Sequence, residues 1–245
     1  MKVNKEFEGL KQMENGDYVL EGDLISDEDI EIDLDDRLIV RGSVISKMSI
    51  KVGRTLIAGE GIKAGEGIKA GLGIEAGMGI VAGCGIKAGR RIKAGWGIEA
   101  GEGIEAGEGI EACLRIKAGG GIEAGCDIKA GWGIEAGNGI EAGSGIKAGL
   151  GIEAGWGIEA GLGIEAGCGI EAGLGIEAGD GIKAGSFIQV EKRIFAGVSV
   201  YDTVESCKKT ITCAELRKGE ICFGDLILTD NQNAKKETET EDART

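Results

Sequence analysis

The sequence predicts an all-β chain built as a single-stranded parallel β-helix, a solenoid of short strands wound into stacked coils. Three observations predict it: an unbroken six-residue period, an Ile–charged–Ala triplet within each period, and glycines where each triplet ends. Ile occupies every sixth position from Ile62 to Ile194, and Ala follows two residues later from Ala64 to Ala184. The register continues backwards through Leu56, Ile50, Val44, Leu38 and Ile32, with Ala58, Val52, Ser46 and Val40 in the second position. Val190 and Ala196 carry it at the other end.

Ile–charged–Ala is strand alternation, two apolar side chains on one face and a charge on the other. The middle letter is Lys or Glu, with Val81 the exception inside the Gly-rich block. Three residues are too few for a useful hairpin arm, and Gly-X-Gly follows each time. Gly adopts backbone angles closed to other residues, so the sequence implies a bend every six residues. A strand and a bend on a fixed period make a solenoid, each coil stacking on the last at about 4.8 Å.

Composition narrows the classes. The 48 glycines among 245 residues come with no proline, which excludes collagen. The net charge of −14 argues against a direct grip on nucleic acid or on an anionic membrane. Residues 1–61 and 62–186 contribute −6 each and residues 187–245 contribute −2, so the acid excess runs through the body. The start, MKVNKEFEGLKQ, carries no apolar run that reads as a signal peptide, and no spanning segment follows. Seven cysteines without scaffold-like spacing fit reduced thiols, hence an expected cytoplasmic location.

On its period and inward-facing Ile, the stretch from about residue 32 to 200 resembles the hexapeptide-repeat β-helix families, including the triangular left-handed β-helices and the bactofilins. The resemblance implies three strands and eighteen residues per coil, a prism filled with Ile and Ala; two strands and twelve residues would give a flattened sandwich. The 28 strands from Ile32 to Ile194 then make about nine coils and roughly 45 Å of rod. One departure leaves handedness open: left-handed hexapeptide proteins place the small residue two before the aliphatic one, whereas here Ala comes two after.

The expected organisation is an N-terminal cap over residues 1–31, the solenoid over 32–200, a C-terminal cap or final coil over 201–229, and a disordered polar tail over 230–245. Raw solenoid ends pair with other chains unless covered. Phe7, Leu10 and Met13 are placed to line an amphipathic turn at one end, and DYVLEGDLIS to form an irregular first rung. At the other, ICFGDLIL restores six-residue spacing between Ile221 and Ile227.

The letter between the glycines takes Glu, Arg, Asp and Asn as well as Leu, Met, Trp and Cys, so it faces solvent at a corner. Sorted by eighteen, one corner reads Met78, Trp96, Leu114, Trp132, Leu150, Cys168, an apolar stripe. Beside it run Glu75, Lys93, Glu111, Lys129, Lys147, Glu165 and Lys183, mostly opposite signs in contact. A second face runs Lys69, Lys87, then Glu105, Glu123, Glu141, Glu159 and Glu177. A third adds Glu135, Glu153 and Glu171. Like charges on neighbouring strands repel, so a face built only for stability would alternate. SDEDIEIDLDD, residues 26–36, adds seven acids near the rod's start, with Ile30, Ile32 and Leu34 inward and Glu31 and Asp33 outward.

Hexapeptide-repeat proteins are often acyltransferases that use a His as general base. This chain has no His, which also removes Ser-His triads and the commonest zinc ligand. Cys84, Cys126 and Cys168 fall on three different corners of an eighteen-residue coil, and Cys207, Cys213 and Cys222 fit no zinc spacing. The glycines punctuate strands and do not open a helix, so they make no dinucleotide or phosphate loop. No cofactor or metal is expected, and no enzyme. The leading expectation is a non-catalytic solenoid that offers Glu105, Glu123, Glu141, Glu159 and Glu177, with Glu31 and Asp33, to a basic protein partner. An inhibitor that mimics DNA toward a nucleic-acid-binding protein is its sharper form. The alternative is a scaffold or filament that self-associates through Met78, Trp96, Leu114, Trp132, Leu150 and Cys168, or end to end.

Overall fold

The computed structural model describes residues 1–197 and 209–229. It is a parallel β-solenoid of about eleven turns, in which three-residue strands pair with strands one coil away. The pairing is direct: Ile104 registers with Ile122, Glu105 with Glu123, and Ala106 with Ala124. The offset is eighteen residues with three strands per coil, as expected, and the twelve-residue sandwich is excluded. Every core Ile from Ile62 to Ile194 is buried, and so is the residue two further on, Ala throughout except Val190. Each such Ile contributes about 1.5–3 kcal/mol of apolar burial, which three-residue strands need because they have so little ladder of their own.

The three sides of the coil are named by one strand each. Side one contains Ile74–Ala76, side two Ile80–Ala82 and side three Ile86–Ala88. The corners between them are held by their own ladder of backbone hydrogen bonds. Trp96 N–H donates to the Met78 carbonyl at 3.0 Å, Leu114 N–H to Trp96 at 2.8 Å, and Trp132 N–H to Leu114 at 2.8 Å. Corner residues eighteen apart are therefore vertical neighbours, as strand residues are.

The repeat glycines have a different cause from the one the sequence suggested. Left-handed backbone occurs at Gly9, Gly16, Gly22, Gly197, Gly219 and Gly224, outside the regular repeats. Within the repeats the first glycine of each pair is required by close approach. A Cβ at Gly149 would overlap the Gly131 carbonyl in the coil before, whereas one at Gly151 would sit 3.6 Å from the Gly169 oxygen. The second position accordingly accepts Arg91, Arg115 and Asp127, while Cys113 is the exception at the first position inside the Gly-rich block. Its N–H reaches the Ala94 carbonyl at 3.3 Å, longer than the equivalent 3.0 Å bond of Gly131 to Ala112.

At the N-terminus the register shifts by two. Tyr18, Leu24 and Ile30 pair with Leu38, Val44 and Ile50, an offset of twenty residues. Ile32 therefore lies over Val52, in the Ala position, and Ile30 takes the position that the six-residue count had given to Ile32. The two extra residues sit in the corner Asp33–Arg37. Leu34 is buried there, and Asp35 accepts hydrogen bonds from the Tyr18 hydroxyl (2.7 Å) and the Lys5 ammonium (2.8 Å). Coil stacking thus reaches back to Tyr18, so DYVLEGDLIS forms the irregular first rung expected of it within the N-terminal segment. Ahead of it, Lys2–Val3 pairs in parallel with Glu31–Ile32, and Leu10–Gln12 pairs antiparallel with Tyr18–Leu20. Phe7 and Leu10 pack against the core, but Met13 is exposed.

Toward the C-terminus, Phe187–Ala196 runs as one ten-residue strand across sides two and three. Thr210–Cys213, Glu215–Phe223 and Asp225–Leu228 continue the stack. Ile221 lies over Ile194, but Leu226, and not Ile227, lies over the buried Ile211. The six-residue spacing expected there is therefore five, the corner being turned tightly at Gly224 with φ +115°. The expected tail over 230–245, the end of the repeat at Val200 and Cys207 lie outside the described residues. No helix among the described residues is long and apolar enough to cross a membrane.

Candidate functional site

Side three carries the most unusual surface. Its outward positions, in pairing order, are Lys2, Glu31, Lys51, Lys69, Lys87, Glu105, Glu123, Glu141, Glu159, Glu177 and Phe195. Three lysines are followed by five glutamates without interruption. The β-strand spacing sets neighbouring carboxylates about 4.8 Å apart along the rod. Lys87 donates a hydrogen bond to Glu105 at the change of sign. Among the described residues, Glu123, Glu141, Glu159 and Glu177 make no ion pair, and Lys51 and Lys69 make none either.

Side one shows what pairing looks like on the same scaffold. Lys147 bonds Glu165 at 2.9 Å, Lys183 approaches it at 3.7 Å, and Lys93 approaches Glu111 at 3.7 Å. The hydrogen bond from Lys147 holds the Glu165 carboxyl below its ordinary range. Asp127 is lowered likewise by Lys129 and by the Gly145 N–H. The fold therefore allows charge alternation on every side, and side three does not use it.

The column forms one wall of a groove of about 1590 Å³ along side three. Its floor is the backbone of the Gly–Ile step in successive coils, and Trp156 and Leu174 stand beside Glu159 and Glu177. Both are exposed, Trp156 by 60%. Lys192, Arg193 and Phe195 line the end of the groove. The site thus combines carboxylates in water, a backbone floor and an apolar lip. It has the parts to hold an extended cationic segment by charge and by contact with its aliphatic stems.

Of the residues singled out from sequence, Glu105, Glu123, Glu141, Glu159 and Glu177 come together in one column. Glu31 shares that column but lies beyond the three lysines, and Asp33 pairs with Lys2 at 3.3 Å. These two are therefore separated from the glutamate run by basic charge. Met78, Trp96, Leu114, Trp132, Leu150 and Cys168 form one continuous corner, in which Trp96, Trp132, Leu150 and Cys168 are exposed and Met78 and Leu114 half-buried. Trp156, Leu174, Lys192, Arg193 and Phe195 are additions. Trp156 and Leu174 precede Glu159 and Glu177 by three residues, so counting by eighteen already made them neighbours of the column. The concavity that makes a groove of them has no counterpart in the sequence. Cys84, Cys126 and Cys168 stand on three different corners, and no group of His, Cys, Asp or Glu among the described residues converges as metal ligands. Comparison with protein-family models, curated proteins and solved structures gives no significant match.

Proposed function

We propose that this solenoid is a non-catalytic binding module whose side-three groove docks a basic segment of a protein partner. The observation that carries the proposal is the run Glu105–Glu177: five stacked carboxylates, four without an ion pair among the described residues, on the wall of a groove. Stacked like charges cost stability, and a cationic ligand recovers that cost. Nucleic-acid-binding proteins display basic surfaces of this kind, so an inhibitor that occupies such a surface in place of nucleic acid is the finer form of the same function.

The experiment is titration of a labelled oligoarginine peptide against the rod over a salt series, repeated with Glu123→Lys/Glu141→Lys/Glu159→Lys. Binding that weakens with salt and disappears in the triple variant supports the proposal. Equal binding by the triple variant defeats it.

A second reading rests on a separate surface. The corner Met78–Cys168 keeps apolar side chains at six successive coils, with Trp96 and Trp132 each more than half exposed. Contiguous exposed apolar patches mark interaction sites, and an unbranched stripe along a rod suits lateral self-association into a scaffold. Loss of concentration-dependent assembly in Trp96→Ser/Trp132→Ser is its test.

A further inference from the structure

We infer that the partner of the side-three groove includes a second copy of this chain, docked antiparallel so that the lysine stretch of each rod meets the glutamate stretch of the other. The inference rests on the reading of side three as a docking surface and names its occupant. The column is bipolar: Lys51, Lys69 and Lys87 stand on three successive coils, then five coils carry Glu. A two-fold axis crossing the rods between the coils of Lys87 and Glu105 sets Lys87 opposite Glu105, Lys69 opposite Glu123 and Lys51 opposite Glu141. Each pairing occurs twice, as a two-fold interface requires.

The corner between sides three and one carries part of the same polarity above its first coil, which holds Asp33, Asp35 and Asp36. Arg54 and Arg90 occupy its lower coils, and Glu108 and Asp180 its upper ones, in one column of backbone hydrogen bonds. The same axis places Arg90 opposite Glu108. Arg91, exposed at the second-glycine position, adds to the basic half. Arg90 and Glu108 thus change sign between the same two coils as Lys87 and Glu105, and like that pair they approach each other within one rod, at 3.7 Å.

The charge pattern also selects the orientation. Parallel docking in register would set Lys69 against Lys69 and Glu141 against Glu141, which like charge opposes. Sides one and two offer no equivalent, because side one mostly alternates, Lys129 over Lys147 apart, and side two mixes Lys63, Val81, Glu99 and Lys117 before Glu135, Glu153 and Glu171. Lys51, Lys69, Glu123 and Glu141 have no ion-pair partner among the described residues, so two of the three cross-pairings use groups free to engage. One like-sign meeting remains, Glu159 with Glu31, and it falls beside Lys2, which registers with Glu31. Lys2, one coil before Glu31, then faces Glu177, and the lip at Trp156 and Leu174 lies beside the matched stretch.

The test is solution mass by sedimentation at low salt and at 1 M salt, where the screening length falls to about 3 Å. Three proteins are compared: wild type, Lys51→Glu/Lys69→Glu/Lys87→Glu, and Glu105→Lys/Glu123→Lys/Glu141→Lys, each checked for fold by circular dichroism. Wild type is expected to dimerise at low salt, with the dissociation constant rising at least tenfold by 1 M. Each variant alone is expected to be monomeric, and their equimolar mixture to form a heterodimer. A wild type monomeric at low salt across the concentration range overturns the inference, as does a lysine-reversed variant that dimerises as wild type does. A dimer indifferent to salt and lost in Trp96→Ser/Trp132→Ser overturns it in favour of the apolar corner. A monomeric wild type that still captures oligoarginine leaves the docking function standing without its self-partner.

Discussion

Lys87 and Glu105 occupy successive coils of one column, and the Lys87 ammonium donates a hydrogen bond to the Glu105 carboxylate where the column changes sign. Above this pair, carboxylate follows carboxylate for four further coils. The arrangement ties function to a stability cost, because the same repulsion that invites a cation strains the stack.

Glu141→Lys therefore separates the two effects. It places an ammonium between Glu123 and Glu159 and replaces two like-sign neighbours with opposite ones. Stability is expected to rise by about 0.2–1 kcal/mol at low salt, and the gain to shrink as salt is added. Capture of a basic peptide is expected to fall in the same protein. Chemical denaturation and peptide titration on one sample check both, and a destabilised variant would show that repulsion in the column is not the governing interaction.

The two glycines of each corner are expected to respond oppositely to alanine. Gly149→Ala forces a Cβ onto the Gly131 carbonyl and is expected to cost about 1–3 kcal/mol as overpacking. Gly151→Ala meets only ordinary contact, at a backbone that is not left-handed, and is expected to be neutral or to stabilise by about 0.4–1 kcal/mol through the unfolded chain. Paired urea melts decide it.

Arg37 forks the Asp17 carboxylate, Nε to Oδ1 and Nη2 to Oδ2 at 2.8 Å each, while Asp17 is buried. Arg37→Met keeps the aliphatic stem and leaves Asp17 with the Asn15 amide as its remaining side-chain donor. The expected loss is about 1–3 kcal/mol, the desolvation left unbalanced. Asp17→Asn/Arg37→Met is expected to recover part of it, which thermal melts of both variants measure.

The N-terminal strands carry a pH-dependent latch. Hydrogen bonds from Lys5 and Tyr18 lower the Asp35 carboxyl from 3.8 to about 2. A lowered carboxyl contributes stability that is present above its ordinary value and is lost as pH falls toward the folded one, so the latch loosens between pH 3.8 and about 2. The Asp35 partner raises Tyr18 and Lys5, and a raised group loses its contribution as pH climbs past its ordinary value, 10.0 for Tyr18. Protection of Leu10–Gln12 from hydrogen exchange, taken relative to the intrinsic rate at each pH, is expected to fall at both extremes before that of the coils. Asp35→Asn should flatten the acid limb; an unaltered acid limb would place the titration elsewhere.

Much of this architecture is written in the sequence because each coil repeats the same solution. Ile104, Ala106 and their equivalents declare the core, and counting by eighteen aligns Glu105 with Glu123 before any coordinate is known. What escapes the count lies where the repeat gives way. Two extra residues between Ile32 and Leu38 shift the first coil, and only the bonds of Asp35 and Arg37 reveal that they belong to a corner. Gly149 and Gly151 are the same letter, yet one meets a carbonyl from the coil before and the other does not. The groove takes its lining from the Gly–Ile–Lys or Gly–Ile–Glu steps of successive coils together with Trp156 and Leu174, a surface shape that periodicity does not encode.

An offset of eighteen also makes the rod a reading frame for its own surface. Removing eighteen residues from the middle shortens the molecule by one floor and leaves each vertical row intact. Removing six keeps all core contacts equivalent but turns everything beyond the cut by one side, so that glutamates continue above a row they never belonged to. Length can drift by whole storeys without harm, whereas a change of one hexad preserves the building and rewrites its façade.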